Sequence, residues 1–175
     1  PYTPHISYWL YGNLKHTWKR GSSWLSETVD STVAVNGLSL ALDSNGNPRI
    51  AYHDQTNRDL RYAWKSGTTW ISETVDSEEA VGSWPSLELD SHGNPHISYY
   101  DSANDDLKYA RFDGRIWIIQ SVDSEGDVGG GNSLALDPAG CPHISYYDAT
   151  NGDLKYAYIP PYYVYLPLIM RNHPE

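Results

Sequence analysis

One cysteine, one methionine and one phenylalanine are all that the 175 residues hold of these types, and each scarcity closes off a class of protein. A lone Cys141 forbids an intrachain disulfide and leaves a cysteine-based structural zinc site without its ligands. Basic residues are few as well. Twelve Lys and Arg stand against 22 Asp and Glu, a net charge of −10, whereas nucleic acid is held by a basic stripe that releases counterions. No run approaches the roughly 20 apolar residues that span a bilayer as a helix, so no membrane span is expected. Fourteen Gly and eleven Pro, spread at regular intervals, punctuate the chain too often for long helices. The cysteine poverty and a chain that starts at Pro1, without Met or a signal segment, lead us to expect a secreted protein in a processed or trimmed form.

What is present is aromatic and repetitive. Tyr and Trp account for 15 and 7 residues, types that favour strands. Four segments align: PHISYWL from Pro4, PRIAYHD from Pro48, and PHISYYD from both Pro95 and Pro142, at intervals of 44, 47 and 47 residues. Each continues alike, as LKHTWK, LRYAWK, LKYARF and LKYAYI, then SSWLSETVDS, TTWISETVDS and RIWIIQSVDS, then LSLALDSNGN, PSLELDSHGN and NSLALDPAGC. The repetition predicts one domain over residues 1–175, with units 4–47, 48–94, 95–141 and 142–170 and a short tail at 171–175.

Every unit holds four short runs of period-two alternation separated by turn signals. Leu38, Leu40 and Leu42 alternate in the first run, and Ile97 with Tyr99 in the second. Leu107 with Tyr109 mark the third, and Trp24, Trp70 or Trp117 opens the fourth. Gly46, Gly93 and Gly140 suit a tight turn before the Pro that starts the second run. A four-stranded antiparallel meander of about 45 residues in tandem is the pattern of an all-β propeller blade, whose two apolar faces need neighbours to cover them. A parallel β-helix is the alternative, with shorter coils. Counting runs gives fifteen strands where four complete blades need sixteen. The ten-residue spacing from Leu14 to Trp24, Leu60 to Trp70 and Leu107 to Trp117 places the last strand from Val164, within Tyr162–Met170.

The strings HISYYD, LKYA and the following Trp resemble fungal fucose-binding propeller lectins. The LDSNGNPRI turn is similar to the Asp-box of BNR-type secreted bacterial propellers without its final Thr-Trp. In the lectins an Arg on the second run and a Glu on the third bind the sugar. The matching positions here are His5, Arg49, His96 and His143, then His16, Tyr62, Tyr109 and Tyr156. The Glu has no match on that run, so the resemblance implies carbohydrate binding without fucose specificity.

From the residues, the ligand-binding candidates are Arg49, His96 and His143 with Tyr100, Tyr147, Trp70 and Trp117. A polar group beside a ring can bond a sugar hydroxyl while the ring stacks on its C–H face. The competing assignment for the repeated His and Trp positions is packing and hydrogen bonding between blades. Trp9 and Trp84 do not recur and suit a specific surface. Asp101, Asn104 and Asp106 carry oxygens at a spacing open to Ca²⁺, but Asx turns account for the same pattern. No cofactor is implied. No P-loop, HExxH or nucleophile-elbow motif appears. The expectation is therefore a non-catalytic extracellular module that binds glycans or a cell-surface polymer. A self-assembling subunit is the alternative, forming a homo-oligomer or filament through its open seam and a tail rich in apolar residues (Tyr163, Tyr165, Leu166, Leu168 and Ile169). A sialidase-like glycosidase fragment is the third reading.

Overall fold

A computed structural model describes residues 3–160 and, for the backbone, 168–171. Fifteen strands and no helix are found among the described residues, in four antiparallel sheets. Blade 1 is β1 (His5–Leu10), β2 (Asn13–Arg20) and β3 (Ser23–Asp30). Blade 2 is β4 (Val35–Leu42), β5 (Pro48–Asp54), β6 (Asp59–Ser66) and β7 (Thr69–Asp76). Blade 3 is β8 (Ser83–Leu89), β9 (Pro95–Asp101), β10 (Asp106–Phe112) and β11 (Trp117–Asp123). Blade 4 is β12 (Val128–Leu136), β13 (Pro142–Asp148), β14 (Asp153–Tyr158) and β15 (Leu168–Arg171). Each blade is a meander of sequential neighbours, and blade 1 has three strands where the others have four.

The turns follow from side chains that imitate backbone acceptors. Asp43 Oδ1 accepts from the N–H groups of Asn45 and Asn47, and Asp90 and Asp137 repeat the arrangement. Asp54, Asp101 and Asp148 do the same for the second hairpin, so the carboxylate of Asp101 is spent on Ala103 and Asn104. This is Asx-turn chemistry, which needs no cation. Among the described residues no group of three His, Cys, Asp or Glu could hold a metal ion.

The blades stack face to face in chain order, with β4, β8 and β12 adjoining along the inner side. Alternation decides what each face meets. Ile50 and Tyr52 pack back on Leu14 of blade 1, while Ala51, Leu60 and Tyr62 pack forward on Ile97, Tyr99 and Ala110 of blade 3. Leu107 and Tyr109 continue the series against Ile144, Tyr146 and Ala157 of blade 4. A bulge recurs between the third and fourth strands, at Leu14/Lys15, Leu60/Arg61 and Leu107/Lys108, and bulges sharpen the local twist.

The last strand departs from the expected register. Tyr158 pairs with Leu168, where its counterpart Arg111 pairs with Ile118, so the tail enters three residues later than Val164. Pro160 and Pro161 have no N–H to give a ladder, and described pairing starts beyond them. Leu168 and Ile169 therefore lie in β15, whereas Tyr163, Tyr165 and Leu166 lie outside the described residues.

Candidate functional site

The repeated His or Arg at the start of each second strand lies against a ring of the third strand, and in the first two copies that ring meets a Trp of the next blade. Between blades 1 and 2, His5 Nδ1 lies 2.9 Å from His16 Nε2, and His16 Nδ1 lies 3.0 Å from Glu27 Oε1. Lys65 of blade 2 donates to both Glu27 oxygens at 2.9 and 2.8 Å. The His16 ring stacks on Trp18 at 5.2 Å and meets the edge of Trp70 at 5.6 Å. Lys65 also sits over the Trp18 and Trp70 rings. Burial lowers the pKa of His5, reinforced by His16, and burial lowers that of His16 against the pull of Glu27. With both rings neutral, Glu27 accepts from His16 Nδ1–H, and His16 Nε2 accepts from His5 Nδ1–H. That leaves His5 Nε2 as an acceptor for a hydroxyl.

Between blades 2 and 3 the same plan uses different residues. Arg49 Nη2 donates to Asp43 Oδ2 at 3.1 Å. Tyr62 stacks on Trp64 at 5.7 Å and meets Trp117 edge-on at 5.5 Å. Trp117 Nε1 donates to Glu73 Oε1 at 2.8 Å. Burial pushes the Tyr62 hydroxyl up to about 12 despite the neighbouring Arg49, so it stays a donor. Among the described residues, Arg49 Nε is buried without a hydrogen-bond partner.

The third and fourth copies are reduced. His96 bonds the Tyr109 hydroxyl, and Gln120 pairs opposite Tyr109 where the earlier blades have Glu. His143 bonds the Tyr156 hydroxyl and packs on Tyr158 at 4.9 Å. The structure does not bring Tyr100 or Tyr147 to these sites. They share a face with His96 and His143 but stand four residues along the strand, about 13 Å away. Tyr100 instead reaches Asp105 and Asp127 and lies against Trp84. Tyr147, Trp9 and Trp84 are exposed.

Glu27 and Glu73 are the residues that the sequence comparison passed over. It sought a carboxylate on the third strand, whereas the register sets His16 opposite Glu27 and Tyr62 opposite Glu73 on the fourth. The signal was the repeated Ser-Glu-Thr-Val, absent from the third copy. Each carboxylate is half-buried, beside the aromatic rings of its own blade and the Trp of the next.

No protein-family profile matches the chain, and no curated protein does. Among solved structures, a fucose lectin from Kordia zhangzhouensis in complex with methyl-fucoside is similar at 20% identity and a TM-score of 0.49, covering 77% of this chain and 97% of its own.

Proposed function

We propose that the chain is a non-catalytic carbohydrate-binding module with two principal sites. One is centred on Glu27 and Trp70 between blades 1 and 2, the other on Glu73 and Trp117 between blades 2 and 3. The observation that carries this reading is the pairing of a half-buried carboxylate with Trp rings across each blade boundary. A carboxylate and an imidazole or guanidinium supply acceptors and donors for adjacent hydroxyls, and the rings supply an apolar platform. Two weak equivalent sites on one rigid body gain avidity on a multivalent glycan. The test is a glycan array followed by titration of Trp fluorescence, with methyl-fucoside among the ligands. Glu73→Gln should weaken one site about tenfold, the worth of a hydrogen bond to a charged group. Silence of every glycan at high protein concentration would defeat the proposal.

A second reading, self-association, is favoured by the two end faces. Ile50, Ile97 and Ile144 are wholly buried on the faces that meet a preceding blade, yet their counterpart Ile6 is 47% exposed, with Leu10 at 40% beside it. Leu14, Leu60 and Leu107 are wholly buried under a following blade, yet Leu154 is 64% exposed. The two faces are counterparts of surfaces that fit one another three times within the chain. Blade 4 of one copy can therefore stack on blade 1 of another, a heterologous contact that gives a ring or a filament. Light scattering should show concentration-dependent assembly that Leu154→Asp abolishes. A concentration-independent monomer would retire this reading.

A further inference from the structure

At the other end of the strands, between blades 2 and 3, lies a cleft of about 430 Å3 lined by His53, Gln55, Arg58, Ala80 and Ser102. The equivalent place between blades 3 and 4 is closed by its own side chains. There the Tyr100 hydroxyl lies 2.6 Å from Asp105 Oδ1 and 2.9 Å from Asp127 Oδ1. One 47-residue repeat earlier, these three positions are His53, Arg58 and Ala80. Both acceptors are gone, and a guanidinium stands in place of one of them.

The remaining groups combine a guanidinium with a buried acceptor. His53 is only 8% exposed, burial lowers its pKa, and its ring bonds the Asn36 backbone. Its Nδ1 has no hydrogen-bond partner among the described residues, so the neutral ring offers that nitrogen to a hydroxyl. Arg58 is exposed, forms no ion pair among the described residues, and is anchored through its backbone to Asp54 and Val81 at a φ of 64°. The Ser102 hydroxyl donates to the Ala80 carbonyl, which fixes the rim of the cleft. The carboxylates that face His53 are Asp54 and Asp59. Asp54 is committed to Thr56, Asn57 and, more distantly, Arg61. Asp59 is the competitor, and burial together with Asp54 raises its pKa.

We propose that this cleft binds the carboxylate of an acidic sugar, with Arg58 on the anion and His53 Nδ1, Gln55 and Ser102 on flanking hydroxyls. The guanidinium fork matches a carboxylate in two parallel bonds. A single cation in an acidic chain suits a monoanion better than a phosphate dianion. The ligand class rests on the carbohydrate reading, but the cleft uses none of the residues of the two aromatic sites.

The test titrates the protein with a galacturonic acid oligomer, the neutral galactose oligomer of equal length and inorganic phosphate, following the His53 ring by NMR. Only the acidic oligomer should shift the His53 resonances, more weakly at high salt. Arg58→Asn, a residue that tolerates positive φ, should weaken it at least tenfold and leave neutral-glycan binding at Glu73 unchanged. Asp59→Asn should tighten it. The triple change His53→Tyr, Arg58→Asp and Ala80→Asp, which copies the closed arrangement of Tyr100, should abolish binding with an unchanged melting temperature. The proposal is overturned if the neutral oligomer or phosphate binds the cleft as well as the acidic one, or if Arg58→Asn has no effect. Failure of the aromatic sites would appear separately, as loss of neutral-glycan binding with the His53 shift intact.

Discussion

The hydroxyl of Tyr99 in blade 3 donates to Asp76 Oδ2 at the end of blade 2, at 2.6 Å. Lys108 Nζ meets the same oxygen at 2.8 Å, and all three side chains are buried. The contact recurs as Tyr52 on Asp30 with Arg61, and as Tyr146 on Asp123 with Lys155. One carboxylate from the end of a fourth strand is thus gripped by the second and third strands of the next blade. Apolar faces alone fix no sliding register, whereas this directional bond does.

Removing the acid should therefore cost more than removing the hydroxyl. Asp76→Ala leaves the buried Lys108 ammonium only its longer contacts to Glu78 and Asp101 and should destabilise by about 3 kcal/mol. Tyr99→Phe leaves the ion pair and should cost about 1–2 kcal/mol. Urea unfolding of both single variants and the double variant measures this. The double variant should fall short of the sum, because the two residues share one partner.

The same carboxylates set an acid limit. Burial raises the pKa of Asp30 and Asp76, but bonds from Thr32 and Tyr52, and from Lys108 and Tyr99, outweigh it, so both lie below the ordinary carboxylate range. A folded pKa below the unfolded one gives stability that is complete above the unfolded value and lost as pH falls through the folded one. Melting temperature should hold steady above about pH 5 and drop steeply below about pH 4. Asp76→Asn should flatten that drop.

Two glycines with positive φ should lose unequal amounts of stability to a methyl group. A Cβ on Gly82 would lie 2.7 Å from Leu60 Cα and 2.8 Å from Leu60 N, backbone atoms that cannot step aside without separating blades 2 and 3. Gly82→Ala should cost about 3 kcal/mol, overpacking added to left-handed strain. Gly46, in an open turn with nothing within 4 Å, should lose only about 1 kcal/mol as Ala. Thermal denaturation of the two variants makes the comparison.

Acidity should also separate the two aromatic sites. His5 and His16 are held neutral by burial, with pKa values below 6.5, whereas Arg49 keeps its charge throughout. Protonating the histidine pair removes the free acceptor, so glycan binding at the first site should fade below about pH 6 while the second persists. Titrations in the Glu73→Gln and Glu27→Gln backgrounds read each site alone.

The blades were legible because Pro48, Pro95 and Pro142 recur with the same flanking alternation, and two-residue periodicity is a local signal. Fourteen of the fifteen strands followed from that periodicity, and the last from the ten-residue spacing of the other copies. Glu27 was hidden because its place opposite His16 follows from the pairing that runs back from the turn between Arg20 and Ser23, and the resemblance pointed to the third strand for the carboxylate. The place of Tyr100 was missed for a related reason. Sharing a face with His96 says nothing about which end of the strand a ligand would meet, and its partner Asp127 comes from the next link. The register of β15, with Tyr158 opposite Leu168, departs from the ten-residue rule kept by the other copies.

Native mass spectrometry across a glycan titration addresses the central claim most directly. At a neutral-glycan concentration just sufficient to fill both sites, two glycans should be bound per chain, falling toward one in either Glu27→Gln or Glu73→Gln and toward none in the double variant. Bound glycans that persist in the double variant, or a chain that takes up none at saturating concentration, would contradict it.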